Sequence, residues 1–283
     1  MQITLGGAQL GFKYGLFNKK KIIYSEIKKI EKLVKKFNIK YIDTAINYGN
    51  SETVIGNSSL NKLNIITKIK IPNKKINIKK WINSQIFNSL RKLKKKKIFA
   101  ILLHNYKDLT SKNKKEILKT LYDLKKKKII KKIGVSIYSP NDLKTICKSW
   151  KPEVVQAPLN IFDQRIVNTG WINILKNKKI KLFVRSCFLQ GLLISNYKKI
   201  YKLKKFHNLF DKFSRWCAQN KISRLLACLH FVKKYKKIDS LVVGFNNSKQ
   251  LEEILNLFLK KTVNIPNKFN NNNLKLIDPR KWS

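Results

Sequence analysis

The chain has 283 residues, 43% of them hydrophobic, which is ample for a large buried core, and it carries 63 lysines and arginines against 15 acidic residues, a formal net charge of +48. The excess is almost all lysine, since the arginines are Arg91, Arg165, Arg185, Arg215, Arg224 and Arg280 alone. Proteins tuned to read nucleic acid lean on arginine for its forked donors and flat stacking surface, so this balance argues against a sequence-specific nucleic-acid partner.

Lysine, isoleucine and asparagine share A/T-rich codons, and a biased genome accounts for their abundance without a function. The field of such a chain speeds the approach of phosphate-bearing ligands and favours weak, salt-sensitive binding to RNA or DNA. Cys147, Cys187, Cys217 and Cys228 lack CxxC spacing, and His104, His207 and His230 form no HxxxH or HExxH pattern. No metal site is expected, and the cysteines read as free thiols of a reducing compartment. The opening MQITLGGAQLG lacks a charged segment followed by an apolar one, and no apolar run reaches membrane-spanning length. The expectation is a soluble, cytoplasmic protein with no membrane partner; oligomeric state is not legible.

Short apolar runs alternate with longer lysine-rich stretches of helical period. In chain order the predicted strands are Ile3–Leu5, Tyr41–Asp43, Ile65–Lys68, Phe99–Leu103, Ile133–Ser136, Val154–Gln156, Leu182–Arg185 and Leu241–Val243. After the first strand, Ile27, Ile30, Leu33, Val34 and Phe37 form one apolar stripe over 25–38, with Ser25 as the expected N-cap. Further helices are predicted over Ser51–Ile55, Trp81–Lys94, Lys114–Lys127, Pro140–Ser149, Gly170–Asn177, Ile222–Lys236 and Ser248–Leu259. Eight strands alternating with helices, with no linker, predict a closed α/β barrel of (β/α)8 type as a single domain over 1–263. The Asn-rich tail 264–283 is expected to be irregular, with Leu276, Ile277 and Trp282 pinning it to the body.

Active sites of such barrels lie at the carboxyl ends of the strands. Reading those positions gives Asp43 with Tyr48 just beyond, Lys68, His104, Gly134 and Ser136, Gln156, Arg185 and Ser186, and Gly244. A tyrosine near pH 10 is too weak an acid for neutral-pH proton donation, and a neighbouring ammonium lowers it. Asp43 would hold Lys68 charged and oriented, and a neutral His104 would hydrogen-bond a bound carbonyl. Such a set protonates an oxygen while a hydride arrives at the adjacent carbon, and the hydride must come from a cofactor.

Taken singly these residues have plainer readings: Asp43 as a helix cap, Tyr48 as a rim aromatic, Lys68 as one lysine among many, Gln156 and Asn160 as partners of rim backbone. Gly6 and Gly7 read as close-packing glycines, because no GxGxxG pattern follows. Cys187 lacks a second histidine as base and reads as structural, and His207 and His230 lie in helical stretches.

Seven blocks in order give the residues a shared meaning. YIDTAINYGNSETVIG, ITKIK, LLHN, KKIGVSIY, VVQAPLNIFDQR, VRSCFLQGLL and VVGFNNSKQLEEIL, with the opening LGGAQLGFKYG, resemble the aldo-keto reductase family from about residue 3 to about residue 259. The resemblance implies a (β/α)8 barrel that binds NADP(H) in an extended pose and reduces the carbonyl of a small molecule. It implies Tyr48 as general acid, Lys68 lowering its pKa, Asp43 paired with Lys68, and His104 orienting the carbonyl. It further implies that Ser136 and Gln156 hold the nicotinamide carboxamide and that Arg185 and Ser186 lie near the nicotinamide and pyrophosphate. Gly244, Asn246, Asn247 and Gln250 fall at the phosphate and adenosine end.

Two departures stand out. Ile137 replaces a common asparagine, losing an amide contact, and Asn246 stands where an arginine would neutralise the 2′-phosphate, which leaves NAD(H) as the alternative cofactor unless Lys249 or the lysine field compensates. The block variety resembles members found with sugar and cell-envelope biosynthesis, suggesting a sugar-derived carbonyl. The competing readings are a cationic barrel that binds nucleic acid non-specifically and a cofactor-binding regulatory subunit without turnover.

Overall fold

The computed structural model describes residues 1–17, 21–72 and 76–282. Strands β1 (Gln2–Gly6), β2 (Tyr41–Asp43), β3 (Asn64–Ile69), β4 (Ile98–Leu103), β5 (Ile130–Ser136), β6 (Val154–Pro158), β7 (Lys181–Arg185) and β8 (Ser240–Val243) run parallel in sequence order. β8 pairs back onto β1, with Gln2 opposite Ser240 and Leu5 opposite Val243, which closes a single-domain (β/α)8 barrel. Each expected strand forms in place; β5 differs most, starting at Ile130 rather than Ile133.

Around the barrel lie α1 (Ala8–Gly11), α2 (Tyr24–Lys36), α3 (Ser51–Gly56), α4 (Ile78–Leu93), α5 (Lys114–Lys126) and α6 (Asn141–Ser149). They are followed by α7 (Arg165–Asn168), α8 (Trp171–Asn177), α9 (His207–Gln219), α10 (Arg224–Lys233), α11 (Ser248–Leu259) and α12 (Leu274–Ile277). The amphipathic stripes pack outside the strands, as Ile27, Ile30 and Leu33 of α2 do. Among the described residues no helix is long and apolar enough to cross a membrane.

Strand side chains alternate between faces, and here one face points into the barrel. Ile66, Ala100, Leu102, Val154, Phe183 and Val242 pack together as an interior core, edged by Tyr41 and Phe99. Two residues further on, the same alternation delivers Asp43, Lys68, His104, Gln156, Arg185 and Gly244 to the interior end. The residues that plug the barrel thus fix which side chains crown it.

Three local expectations are corrected. Ser25 does not cap α2: the helix begins one residue earlier, because Glu26 and Ile27 donate their backbone N–H groups to Ile23 O at 3.1 and 3.3 Å. The helix α9, absent from the predicted spans, buries Phe210, Phe213 and Cys217 on one stripe. The tail forms short helical turns at Asn267–Phe269, Leu274–Ile277 and Pro279–Lys281 rather than staying irregular. Burial of Leu276 and Ile277, and donation from Gln164 Nε2 to Asn267 O at 2.9 Å, hold the tail against the body, while Trp282 Nε1 donates within it to Leu276 O at 3.2 Å.

Candidate functional site

At the carboxyl end of β2 and β3, Lys68 and Asp43 form an ion pair buried to 2% and 5% exposure. Lys68 Nζ donates to Asp43 Oδ1 at 2.7 Å, to Oδ2 at 2.6 Å and to the Thr44 carbonyl at 2.9 Å. An ammonium has three protons, so these acceptors use all of them. Gln156 Nε2, reaching across from β6, donates to Asp43 Oδ1 at 2.8 Å. Its own Oε1 is buried without a partner among the described residues and remains an acceptor for an incoming N–H.

Tyr48 is set above this pair by backbone packing. Gly11, which ends α1, lies so close that a Cβ there would fall 1.7 Å from the Tyr48 carbonyl oxygen. Gly49, with φ +56°, sits against the Gly11 carbonyl, where a Cβ would approach to 2.7 Å. Glycine is needed at both positions, for space at the first and for space and left-handed backbone at the second. Beneath them Ser51 Oγ donates to Gly7 O at 2.8 Å and lies 2.9 Å from Thr44 Oγ1. Gly6 and Gly7 pack closely, since a Cβ on either would come within 3 Å of the Val243 or Asp43 carbonyl oxygen.

The ring of Tyr48 meets that of His104 edge to face at 6.2 Å between centroids, and Lys68 Nζ lies 5.1 Å from the Tyr48 centroid. Burial, and after it the Asp43 carboxylate, push the Tyr48 phenol above its ordinary value, with Arg185 opposing them. The phenol thus stands above its ordinary value even with the expected ammonium of Lys68 beside it. Asp43, in contact with the ammonium, offsets its charge, and no ammonium proton is left for the phenol oxygen. Burial also pulls Lys68 down while Asp43 opposes. His104 is held at about 4 by burial, then by the charges of Lys68, Arg185 and Lys70. The imidazole is therefore neutral at physiological pH.

From Asp43 and Tyr48 a cavity of about 930 Å³, its open mouth included, runs past Gln156, Arg185 and Ser186 to Gly244, Asn246 and Gln250. Arg185 donates to Ser186 Oγ and to the Ile137 carbonyl, both at 3.1 Å, and its Cζ lies 4.5 Å from the Tyr138 ring centroid. Ser186 itself adopts φ +64°, turning the chain sharply out of β7. At the far end Gln250 Oε1 accepts from the Asn246 backbone N–H at 2.7 Å, beside the first turn of α11.

Not every expected residue reaches the cavity: His104 and Lys68 do not line it and lie instead against Tyr48 and Asp43, which do. Ser136 is buried opposite Gln156 in the β5–β6 register and does not line the space. Asn247 caps α11, its Oδ1 accepting from the Gln250 backbone N–H at 2.8 Å. Lys249 is exposed outside the lining. Conversely, Gln9, Tyr14, Gln190 and Ser195 line the cavity without having been singled out in the sequence. Tyr14 is a second phenol, held near 12 chiefly by burial. The YG of the opening block marks its position but not its direction. Cys187 is buried and its thiol is pushed up by that burial, which leaves it structural. His230 is buried, with Nε2 bonded to Leu257 O at 2.9 Å and Nδ1 accepting from Val263 N at 3.0 Å.

Two buried side chains of the cavity wall have acceptors to offer a ligand. Among the described residues Gln156 Oε1 and Gln9 Oε1 are buried acceptors without partners, one beside Asp43 and one beside Gly244. The missing Cβ of Gly244 leaves the Gln9 side chain in place, since that carbon would lie 2.7 Å from Gln9 Nε2.

Residues 2–266 match the sequence model of the aldo/keto reductase family. Among solved structures, an aldo-keto reductase from Bacillus halodurans in its holo form is similar at 17% identity and TM-score 0.72, over 93% of this chain and 88% of that one. A glycerol dehydrogenase from Gluconobacter oxydans is similar at 18% identity and TM-score 0.70, over 98% of this chain and 92% of that one. At these identities the likeness is one of fold. No curated protein sequence matches the chain.

Proposed function

The chain belongs to the aldo/keto reductase family, and from that premise we propose that it reduces the aldehyde or ketone of a small molecule to an alcohol, with Tyr48 as general acid and NADP(H) as cofactor. The observation that carries this reading is the convergence of Tyr48 and His104 above the buried Lys68–Asp43 pair, at one end of a cavity that continues to α11.

A bound reduced nicotinamide supplies the hydride. The chain's own residues do the rest. Gln156 Oε1 accepts from the carboxamide, and Asn246 and Gln250 serve the adenosine phosphate at the start of α11, which the Asn247 cap holds in place. His104, neutral, donates one N–H to the carbonyl oxygen and fixes its distance from Tyr48. Tyr48 keeps its proton until the oxygen gains charge, then transfers it from Oη. Lys68 and Asp43 anchor the floor beneath the ring and keep the local charge balanced, while Arg185 leaves a net positive field over the developing phenolate. A polar carbonyl compound, a sugar-derived one included, is in keeping with the polar cavity wall of Gln9, Gln190 and Ser195.

The test is a pair of measurements on the purified chain. Fluorescence titration reads NADPH binding, and carbonyl-dependent NADPH oxidation is screened across aldehydes, ketoses and pyridoxal. Saturable cofactor binding with turnover of at least one carbonyl class is expected. Binding without turnover of any would favour a regulatory cofactor-binding protein instead.

A further inference from the structure

The chain carries a formal net charge of +48, yet among the described residues no lysine lines the cavity. Its only cationic lining residue among the described residues is Arg185. The surrounding cations differ from it in one respect. Lys68 is paired with Asp43, Arg165 with Asp163 at 2.7 Å, and Arg280 with Asp278 at 2.5 Å. Arg185 has no carboxylate within 4 Å among the described residues; its acceptors are a hydroxyl and a carbonyl. Those two bonds use two of the five guanidinium N–H donors, and three remain.

The group is also held still. Its Cζ stacks over the Tyr138 ring, and Arg280 Cζ lies over the same ring at 3.6 Å, so Tyr138 is wedged between the end of β7 and the C-terminal turn. Asp142 Oδ2 accepts from the backbone N–H groups of Tyr138 and Ser139, at 3.3 and 3.2 Å, fixing the loop that carries the ring. The field of Arg185 reaches the reacting groups, opposing the rise of the Tyr48 and Tyr14 phenols and helping to keep His104 neutral. A stacked, half-buried guanidinium with donors to spare and no carboxylate beside it among the described residues is suited to receive an anion, and its planar fork matches a carboxylate.

We propose that Arg185 binds a carboxylate carried by the substrate, so that the carbonyl compounds this chain reduces are anionic oxo-acids. The inference rests on the reductase reading for the carbonyl, while its binding arm is read without turnover. Bond formation follows the reduction already described, and the carboxylate takes no part in electron transfer; it fixes which face and distance the carbonyl presents to Tyr48.

The experiment compares 4-carboxybenzaldehyde with its neutral isostere 4-formylbenzamide, titrated calorimetrically into the NADP⁺-loaded chain. A charge-assisted bidentate contact should make the carboxylate bind at least about tenfold more tightly than the amide. Arg185→Gln should bring that ratio close to one, and Arg185→Lys, which keeps the charge without the fork, should retain part of it. A wild-type ratio near one, binding of neither probe, or an unchanged ratio in Arg185→Gln overturns the proposal. Loss of NADP⁺ binding in both variants assigns the guanidinium to the cofactor and overturns it equally. NADPH oxidation with the same two aldehydes reads the reductase assignment separately: a retained binding ratio without turnover sinks that assignment and leaves the carboxylate site standing.

Discussion

Lys68 gives every proton of its ammonium to Asp43 and the Thr44 carbonyl, and none to Tyr48, whose ring lies beside it. The pair is buried inside the barrel crown, where an ion left alone is far more costly than an ion pair.

Removing one partner should therefore be worse than removing both. Asp43→Ala is expected to lower unfolding stability by about 3–5 kcal/mol, because it strands a buried ammonium. Lys68→Met should do the same from the other side, and the double variant should recover a large part of either loss. Urea unfolding of the three variants measures this coupling, and additive losses would contradict it.

The placement of Tyr48 depends on the glycine contact behind it. In Gly11→Ala the new carbon meets rigid backbone, the Tyr48 carbonyl oxygen, at 1.7 Å. The loop must move, at a cost of about 1–3 kcal/mol by analogy with overpacked cores. Carbonyl-dependent kcat/KM should fall at least about tenfold, since displacement of a reacting group by about 1 Å is enough to do so. Steady-state kinetics together with thermal unfolding checks both halves.

His104 sets a pH dependence with a definite sign. Its folded value of about 4 lies below the ordinary 6.5. Between those limits the unfolded chain takes up a proton that the folded chain refuses, so stability is full above about 6.5 and declines as pH falls towards 4. Replacing His104 with Gln should flatten that decline. The reductive rate should show no limb near 6.5, because the working imidazole stays neutral there. Unfolding curves collected from pH 7 to pH 4 for both chains test the stability statement.

The cofactor end yields a prediction about dinucleotide choice. Asn246 is exposed beside the first turn of α11 and can donate a hydrogen bond without neutralising a 2′-phosphate. The lysine field acts over a longer range, so NADPH should be preferred over NADH by a margin that shrinks as salt is raised. Asn246→Arg should sharpen the preference through a close, charge-assisted fork. Equal dissociation constants for the two cofactors at low salt would show that the field does not compensate.

Much of this site is legible in the chain because a strand alternates its side chains. Once Ile66, Leu102, Val154 and Phe183 are read as the plug, Lys68, His104, Gln156 and Arg185 follow two residues on. Residues supplied by loops escape that logic. Tyr14 and Gln9 reach the cavity from the segment after β1, whose path is set by the contact of Gly11 with Tyr48, a pairing no periodicity encodes. Asn247 looked like a ligand residue because the resemblance placed it so, whereas α11 uses it as a cap. The relation of Lys68 to Tyr48 is legible only in part: residue types specify that an ammonium and a phenol are near, and only geometry shows where the ammonium's three protons go. The stacking of Arg280 on Tyr138 joins residues 142 positions apart through the tail, beyond the reach of local pattern.

The central claim is that Tyr48 delivers the proton to the carbonyl oxygen, and the most direct measurement is single-turnover reduction by Tyr48→Phe with NADPH already bound. Loss of carbonyl reduction, on the order of a hundredfold or more for a general acid, with an NADPH dissociation constant close to that of the unaltered chain, is the predicted result. Reduction within a few-fold of the unaltered chain would contradict the account.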